Sequence, residues 1–406
     1  MFQTHHLTNG LRIIHRPFPS EISYCGIAIN TGSRDEFPDE QGMAHFVEHM
    51  LFKGTEKRQA HHVINRMENV GGELNAYTTK EETFIYATFL SEHFGRAVEL
   101  LSDMVFHSTF PEHQIEKERD VILDEMNSYV DSPSELIFDD FENILFANHE
   151  MGHYILGTSE SLLSFDKKKV EDFVSRQYSP TNMVLFSLGK TPFSKVVHLT
   201  ERYFGLSDAR FLSSKKRERP LTETAKKSRI GKGTAQTHVI LGTRTFDMFQ
   251  PDRYTLYLLN HIVAGGATNS RLNNSLREKN GLVYNVESNM TLYTDTGLFS
   301  IYFACDKKEV ERCLKLIGKE LQRLVEVPLS SGQLATAKRQ YKGQLGIASE
   351  NNESISLRMA KSYLHFNHYH TLEEVFSKID AIKAEQLQEL AEKLFFREQL
   401  SQLKYV

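Results

Sequence analysis

The chain has 406 residues, 40% of them apolar and 25% charged, and a formal net charge of −5. That length suggests two domains, each large enough to bury a core of its own. The slightly acidic balance gives no footing for nucleic acid or an anionic membrane as partner, and no stretch approaches the roughly 18 consecutive apolar residues a membrane span needs.

At the start, Met1-Phe2-Gln3-Thr4-His5-His6 lacks a basic region followed by an apolar one, so no signal peptide is expected. Strand-like runs come first: Leu11 to His15 after an Asn9-Gly10 turn signal, then Tyr24 to Asn30 ending at Thr31-Gly32. A helix is expected over 41–52, with Pro38-Asp39 as its start signal and Asp39 as its N-cap. Val63 to Val70 has a helical pattern, broken by Gly71-Gly72. A hairpin of Leu74 to Thr78 and Thr83 to Leu90 follows, then helices over Phe94 to Phe106 and Glu112 to Tyr129, and a strand over Asn182 to Leu188. Residues 206–234 read as a solvated basic linker, because Ser213 to Pro220 and Lys226 to Arg229 are polar and lack periodicity.

The second half repeats the order of the first. Thr237 to Thr243 takes the place of Tyr24 to Asn30. Gly297 to Ala304 resembles Glu82 to Phe89, 215 positions earlier, and Gln333 to Leu345 matches Gln114 to Met126, 219 positions earlier. The expected fold class is therefore α+β: two tandem, similar α/β-sandwich domains, each a mostly antiparallel sheet with helices packed on it. They would span residues 1–211 and 233–406, with the linker at 212–232. Cys25, Cys305 and Cys313 are odd in number and far apart, and read as reduced, buried thiols of a cytoplasmic protein.

His45-Phe46-Val47-Glu48-His49 carries the chemistry. On a helix, positions i, i+3 and i+4 share a face, so His45, Glu48 and His49 converge. Two neutral imidazoles with a carboxylate beside them suit a zinc ion and a water molecule next to it. The order is the inverted form of His-Glu-x-x-His. Chance is the competing reading, because 18 histidines make such pairs easy to find. The pairs Phe46/Met50 and Val47/Leu51 would anchor the helix.

On the helix around 112–129, Ile115, Glu118, Ile122, Glu125 and Tyr129 form one stripe. Two carboxylates thus lie among apolar neighbours, where an unpaired charge costs several kcal/mol. A bound cation would offset that cost; a wet helix face with salt bridges to Lys117 or Arg119 would do so equally well. In the repeat, the histidine helix falls on Tyr257 to Ile262, with one histidine and no acid. Glu118 and Glu125 fall on Ala337 and Gln344, so metal-binding groups are present in the first copy only.

The joint pattern of His45 to Thr55, Leu74-Asn75-Ala76-Tyr77-Thr78 and Glu118-Arg119-Asp120-Val121-Ile122 resembles the pitrilysin/insulinase family of zinc peptidases. The likeness is to its half-length branch, related to the mitochondrial processing peptidase. The third ligand in that family is a glutamate about 76 positions after the second histidine, which implies Glu125, and Glu118 as the acid behind a histidine ligand. Arg277 and Tyr284 match the family's Arg/Tyr pair, seven apart; on their own they read as a surface cation on a helix and a core or strand aromatic. The resemblance further implies a zinc endopeptidase acting on peptides or unfolded polypeptides, with Glu48 as general base. Asn75 and Ala76 would contact the substrate by strand addition. A homodimeric clamshell would complete each zinc site with Arg277 and Tyr284 of the other copy. The alternative within the family is a non-catalytic scaffold or substrate-binding subunit. Such subunits typically lack part of these sets, whereas this chain keeps both.

Overall fold

In the computed structural model, residues 2–205, 216–221, 224–395 and 400–406 are described. Residues 206–215 and 222–223 of the expected linker region lie outside the described residues. The chain forms two compact units: Met1–Asn127 with His153–Arg217 and Ala348–Tyr369, and Ser128–Gly152 with Glu218–Ile347 and His370–Val406.

The first unit is built on a six-stranded sheet of β1 (Gln3–His6), β2 (Arg12–Pro17), β3 (Ile22–Ile29), β4 (Glu73–Thr78), β5 (Thr83–Leu90) and β6 (Met183–Gly189), in the order β1-β2-β6-β3-β5-β4. Every neighbouring pair is antiparallel except β2 with β6. Side chains alternate between the faces with period two. Ile13, Ile27, Ile85 and Leu185 join the main core under the helices Met43–Met50 and Phe94–His107. Their neighbours Ile14, Ala28, Phe84 and Val184 face the other way.

That second face is covered by the helix Asn352–Phe366, through Met359, Ala360, Tyr363 and Leu364. The spacing of one, three and four is that of a single helix face. Polar contacts fix the helix in register: Tyr86 donates from its hydroxyl to Glu353 at 2.8 Å, and Arg12 donates to the carbonyls of Tyr363 and Leu364 at 3.2 and 3.1 Å.

In the second unit, β7 (Lys227–Ile230), β8 (Thr237–Thr245), β9 (Val283–Leu292), β10 (Gly297–Cys305) and β11 (Ser401–Tyr405) are ordered β7-β11-β8-β10-β9. Only β7 with β11 is parallel. Read as β2-β6-β3-β5-β4, the first sheet has the same order and the same parallel pair, so the internal repeat is a repeat of topology. The helix Pro133–Leu145 belongs to this unit and packs on β8 and β11, burying Leu136, Ile137, Phe141 and Leu145. Each unit therefore includes one helix from the other half of the chain, which a simple division at the linker misses. An amphipathic stripe states that a helix is covered, not which sheet covers it.

Two features depart from the expected solvated linker. Lys227–Ile230 is a strand, because β11, some 170 residues later, supplies its partner. Arg217 is mostly buried and grips Asp35 with two hydrogen bonds, at 2.9 and 2.8 Å, and donates to the Glu81 carbonyl at 2.9 Å. Beside it Arg34 and Glu81, both fully buried, pair at 2.6 Å. The three cysteines are buried and free of disulfides, with Cys305 and Cys313 in side-chain contact. No helix among the described residues is long and apolar enough to cross a membrane.

The β4–β5 turn is tied to the covering helix by Glu82, which meets His365 at 2.6 Å, Lys361 at 3.0 Å and the Thr79 hydroxyl at 2.6 Å. Burial pushes the Glu82 carboxyl up, but these partners outweigh it and hold it far below the ordinary carboxylate range. A carboxyl depressed in the folded state contributes stability above its unfolded pKa of roughly 4.3, and the contribution is lost as pH falls below that value. Glu82→Gln is expected to cost about 2 kcal/mol at pH 7 in urea unfolding. The gap to the unsubstituted chain should narrow as pH is lowered from about 5 toward 3; a gap independent of pH would contradict this role.

Candidate metal centre

The helix Met43–Met50 buries Phe46, Val47 and Met50 completely and turns His45, Glu48 and His49 to one side. Its start is made by Gly42, at φ +92°, where a Cβ would also lie 2.5 Å from the Leu156 carbonyl oxygen. Glycine answers both demands. The Glu36 carboxylate accepts the backbone N–H groups of Gly42 and Ala44, each at 2.9 Å. Glu36 therefore supplies the N-terminal acceptor expected of Asp39, which instead sits exposed beside Lys169 at 3.6 Å. The chain loops back between 36 and 42, so the acceptor comes from six residues upstream rather than from the adjacent turn.

Facing it, the helix Glu112–Val130 buries Ile115, Glu118 and Ile122, while Glu125 is about one-third exposed and Tyr129 lies at the surface. Glu125 Oε2 stands 3.9 Å from His45 Nε2 and 3.8 Å from His49 Nε2. The three donor atoms all lie within 4.8 Å of one another. Ligands about 2.0–2.1 Å from a tetrahedral zinc ion lie about 3.3–3.4 Å apart, so both separations to Glu125 come within about half an ångström of those around one ion. The set of two imidazole nitrogens and one carboxylate oxygen, leaving a further position open, also fits zinc in a reactive rather than a purely structural site.

The Glu118 carboxylate is occupied at both oxygens, by His49 Nδ1 at 2.8 Å and Lys53 Nζ at 2.6 Å. Burial raises its pKa, but the bonds to His49 and Lys53 prevail and lower it, keeping the carboxylate ionised. Held this way, His49 carries its proton on Nδ1 and turns Nε2 to the metal position. Neither Lys117 nor Arg119 is the partner of Glu118. Burial, then the neighbouring His49, pushes the His45 pKa down to about 3, so its imidazole is neutral and available as a ligand. The His45 Nδ1 has no hydrogen-bond partner among the described residues. Glu48 is buried and accepts a hydrogen bond from the Thr78 hydroxyl at 2.6 Å, and burial pushes its pKa up despite that bond.

Sequence reasoning missed Lys53 and Thr78 as parts of this centre. Both stand inside segments that carry the family resemblance, which is the only signal that could have pointed to them. Asn75 and Ala76 lie on β4, the edge strand of the first sheet, with Asn75 exposed and Ala76 half-buried. Arg277 lies in the π-helical turn Asn273–Glu278 of the second unit and Tyr284 on β9, with the guanidinium 6.0 Å from the ring centroid. Tyr284 is a strand residue but no core residue: it is 87% exposed.

Fold and centre together define the class: a tandem α+β chain with a His-His-Glu cluster that could hold a metal ion and a carboxylate beside it. Residues 13–159 match the model of the insulinase family, peptidase family M16, and residues 164–341 match that of the peptidase M16 inactive domain. A curated relative, the "uncharacterized zinc protease YmxG" of Bacillus subtilis, is 34% identical over 97% of this chain and 96% of its own. An "uncharacterized zinc protease" of Rickettsia felis is 34% identical over 97% and 95%. Among solved structures, a protease from Helicobacter pylori superimposes with a TM-score of 0.92 at 21% identity, over 100% of this chain and 99% of its own. The chain belongs to the insulinase family, peptidase family M16.

Glu118→Gln tests the buttress behind His49. Losing the charge should weaken zinc binding roughly 10- to 100-fold in a chelator competition. Unchanged affinity in a folded variant would remove Glu118 from the centre.

Proposed function

We propose that the chain is a zinc-dependent endopeptidase that cleaves peptides or unfolded polypeptides. The observation that carries this reading is the convergence of His45, His49 and Glu125 beside a buried carboxylate, Glu48, that is engaged by a hydroxyl rather than by a cation. Zinc, when bound there, supplies Lewis acidity that acidifies a water molecule and polarises the scissile carbonyl. Glu48 takes the proton of the attacking water at its free oxygen and delivers it to the leaving amine. Its raised pKa makes it a stronger base than an ordinary carboxylate. Thr78 fixes the Glu48 rotamer, and Glu118 with Lys53 fixes that of His49.

Two further parts of the reading rest on the family resemblance. Asn75 and Ala76, on an edge strand with backbone groups left to pair, would align an extended substrate as an added strand. Arg277 and Tyr284, both exposed, would donate to the developing oxyanion or the substrate backbone in a homodimeric chamber, each site completed by the second copy. Buried cysteines free of disulfides support a reducing, cytoplasmic setting.

Glu48→Gln should retain stoichiometric zinc and lose roughly 10²–10⁴-fold in kcat on a quenched peptide library, with chelator abolishing cleavage by the parent chain. No cleavage by the zinc-loaded parent would overturn the reading. Shared sites have their own test. When Glu48→Gln and Arg277→Ala proteins are mixed, hybrid dimers hold one doubly damaged and one intact site, so part of the activity returns. No recovery under demonstrated subunit exchange would place Arg277 and Glu48 of one site in one chain.

A further inference from the structure

The second unit contains a cavity of about 360 Å³ between the helix Arg253–Val263, the loop after it and the helix Ser331–Ala348. These helices are the repeat's counterparts of the two that carry the metal ligands, and the walls include Ala337, which stands 219 positions after Glu118. The metal donors are gone, yet the space has not been filled with apolar side chains. It is lined by His261, Asn269, Arg271, Gln333, Thr336 and Gln340 among others, and no acid is in its wall.

His261 is 3% exposed and bonded to the Gly265 backbone and the Gln344 side chain, so it shapes the wall rather than offering a donor. One of these groups lacks the partner its burial demands. Arg271 is half-buried, and burial lowers its pKa, yet no hydrogen bond or ion pair engages its guanidinium among the described residues. Glu320, the acid whose charge it feels, is itself held by Arg323 at 2.8 Å. In the first unit the cation that follows the histidine helix, Lys53, has Glu118. Arg271, 218 positions after Lys53, shares its cavity wall with Ala337 instead. A partly desolvated guanidinium without an anion is costly to keep.

We propose that this cavity is a carboxylate-binding site, with Arg271 as the charge partner and the amides of Gln333, Gln340 and Asn269 as neutral donors. Gln333 already turns its oxygen to the Ser330 N–H at 3.0 Å, which leaves its NH2 group to donate. One guanidinium among neutral donors matches a singly charged carboxylate and its fork geometry; a phosphate or polyphosphate would call for further cations. The volume admits a small organic acid or the last residues of a peptide.

The test is calorimetric titration of the full chain carrying Glu48→Gln, which prevents turnover. The probes are acetyl-tetra-alanine as the free acid, the same peptide as its amide, and glutarate. The free acid should bind at least tenfold more tightly than the amide. Arg271→Gln should bring the two within twofold, and so should Gly332→Phe, whose added Cβ meets nothing within 4 Å and whose ring would occupy the cavity. Glutarate binding that equals the peptide acid supports a free organic acid as ligand; its failure beside peptide binding supports a peptide C-terminus. Equal binding of acid and amide, no binding of any probe, or a preference that survives Gly332→Phe would each overturn the site. Gly332→Phe alone decides the matter should Arg271→Gln fail to fold.

Discussion

Three metal-donor atoms from two helices have to meet at one point, and each must arrive in the right protonation state. His45 and His49 serve as ligands only as neutral imidazoles, and Glu125 only as a carboxylate. The protein prepares the two histidines differently. Burial keeps His45 neutral, with a pKa pushed down to about 3. His49 is held instead by a carboxylate that Lys53 keeps ionised, a bond that also selects the tautomer. Glu48, three residues after His45 and next to His49, has the Thr78 hydroxyl as its hydrogen-bond partner, which suits the base the proposed reaction needs.

The architecture of the first unit serves that meeting. One face of the sheet supports the helix Met43–Met50 through fully buried Phe46, Val47 and Met50, and the hairpin of β4 and β5 brings Thr78 to Glu48. The turn that follows Thr78 is pinned by the Glu82 cluster and by the Arg34–Glu81–Arg217–Asp35 network. Buried ion pairs are weak evidence for stability, because desolvation offsets much of their attraction. Their consequence here is geometric: they fix a turn that positions a hydroxyl. The second unit keeps the same strand order without the donors, so scaffold and chemistry have separated within one chain.

Much of the centre was legible because it is local. The spacing of His45, Glu48 and His49 is a property of any helix, and the hairpin Leu74 to Leu90 announces itself by its turn. Glu125 was legible only in part: the stripe 115–118–122–125 showed two acids among apolar residues, but a wet face explained them equally well until the wider resemblance was taken into account. What was not legible depends on contacts distant in sequence. Thr78 reaches Glu48 across 30 positions and His49 meets Glu118 across 69. The strand Lys227–Ile230 exists because of β11, and Arg217 is buried because Asp35 waits for it. No periodicity records such partners. Tyr284 follows the same logic in reverse, since a strand aromatic carries no mark of which face is covered.

The proposed activity requires one shared ion held by two imidazoles and one carboxylate. Zinc K-edge absorption on the zinc-loaded chain measures that directly. Multiple scattering from two imidazoles, light N/O donors at about 2.0–2.1 Å and no sulfur is the expected spectrum, with the imidazole contribution falling by half in His49→Ala. A sulfur shell near 2.3 Å, an absence of imidazole scattering, or a spectrum unchanged by His49→Ala would contradict it.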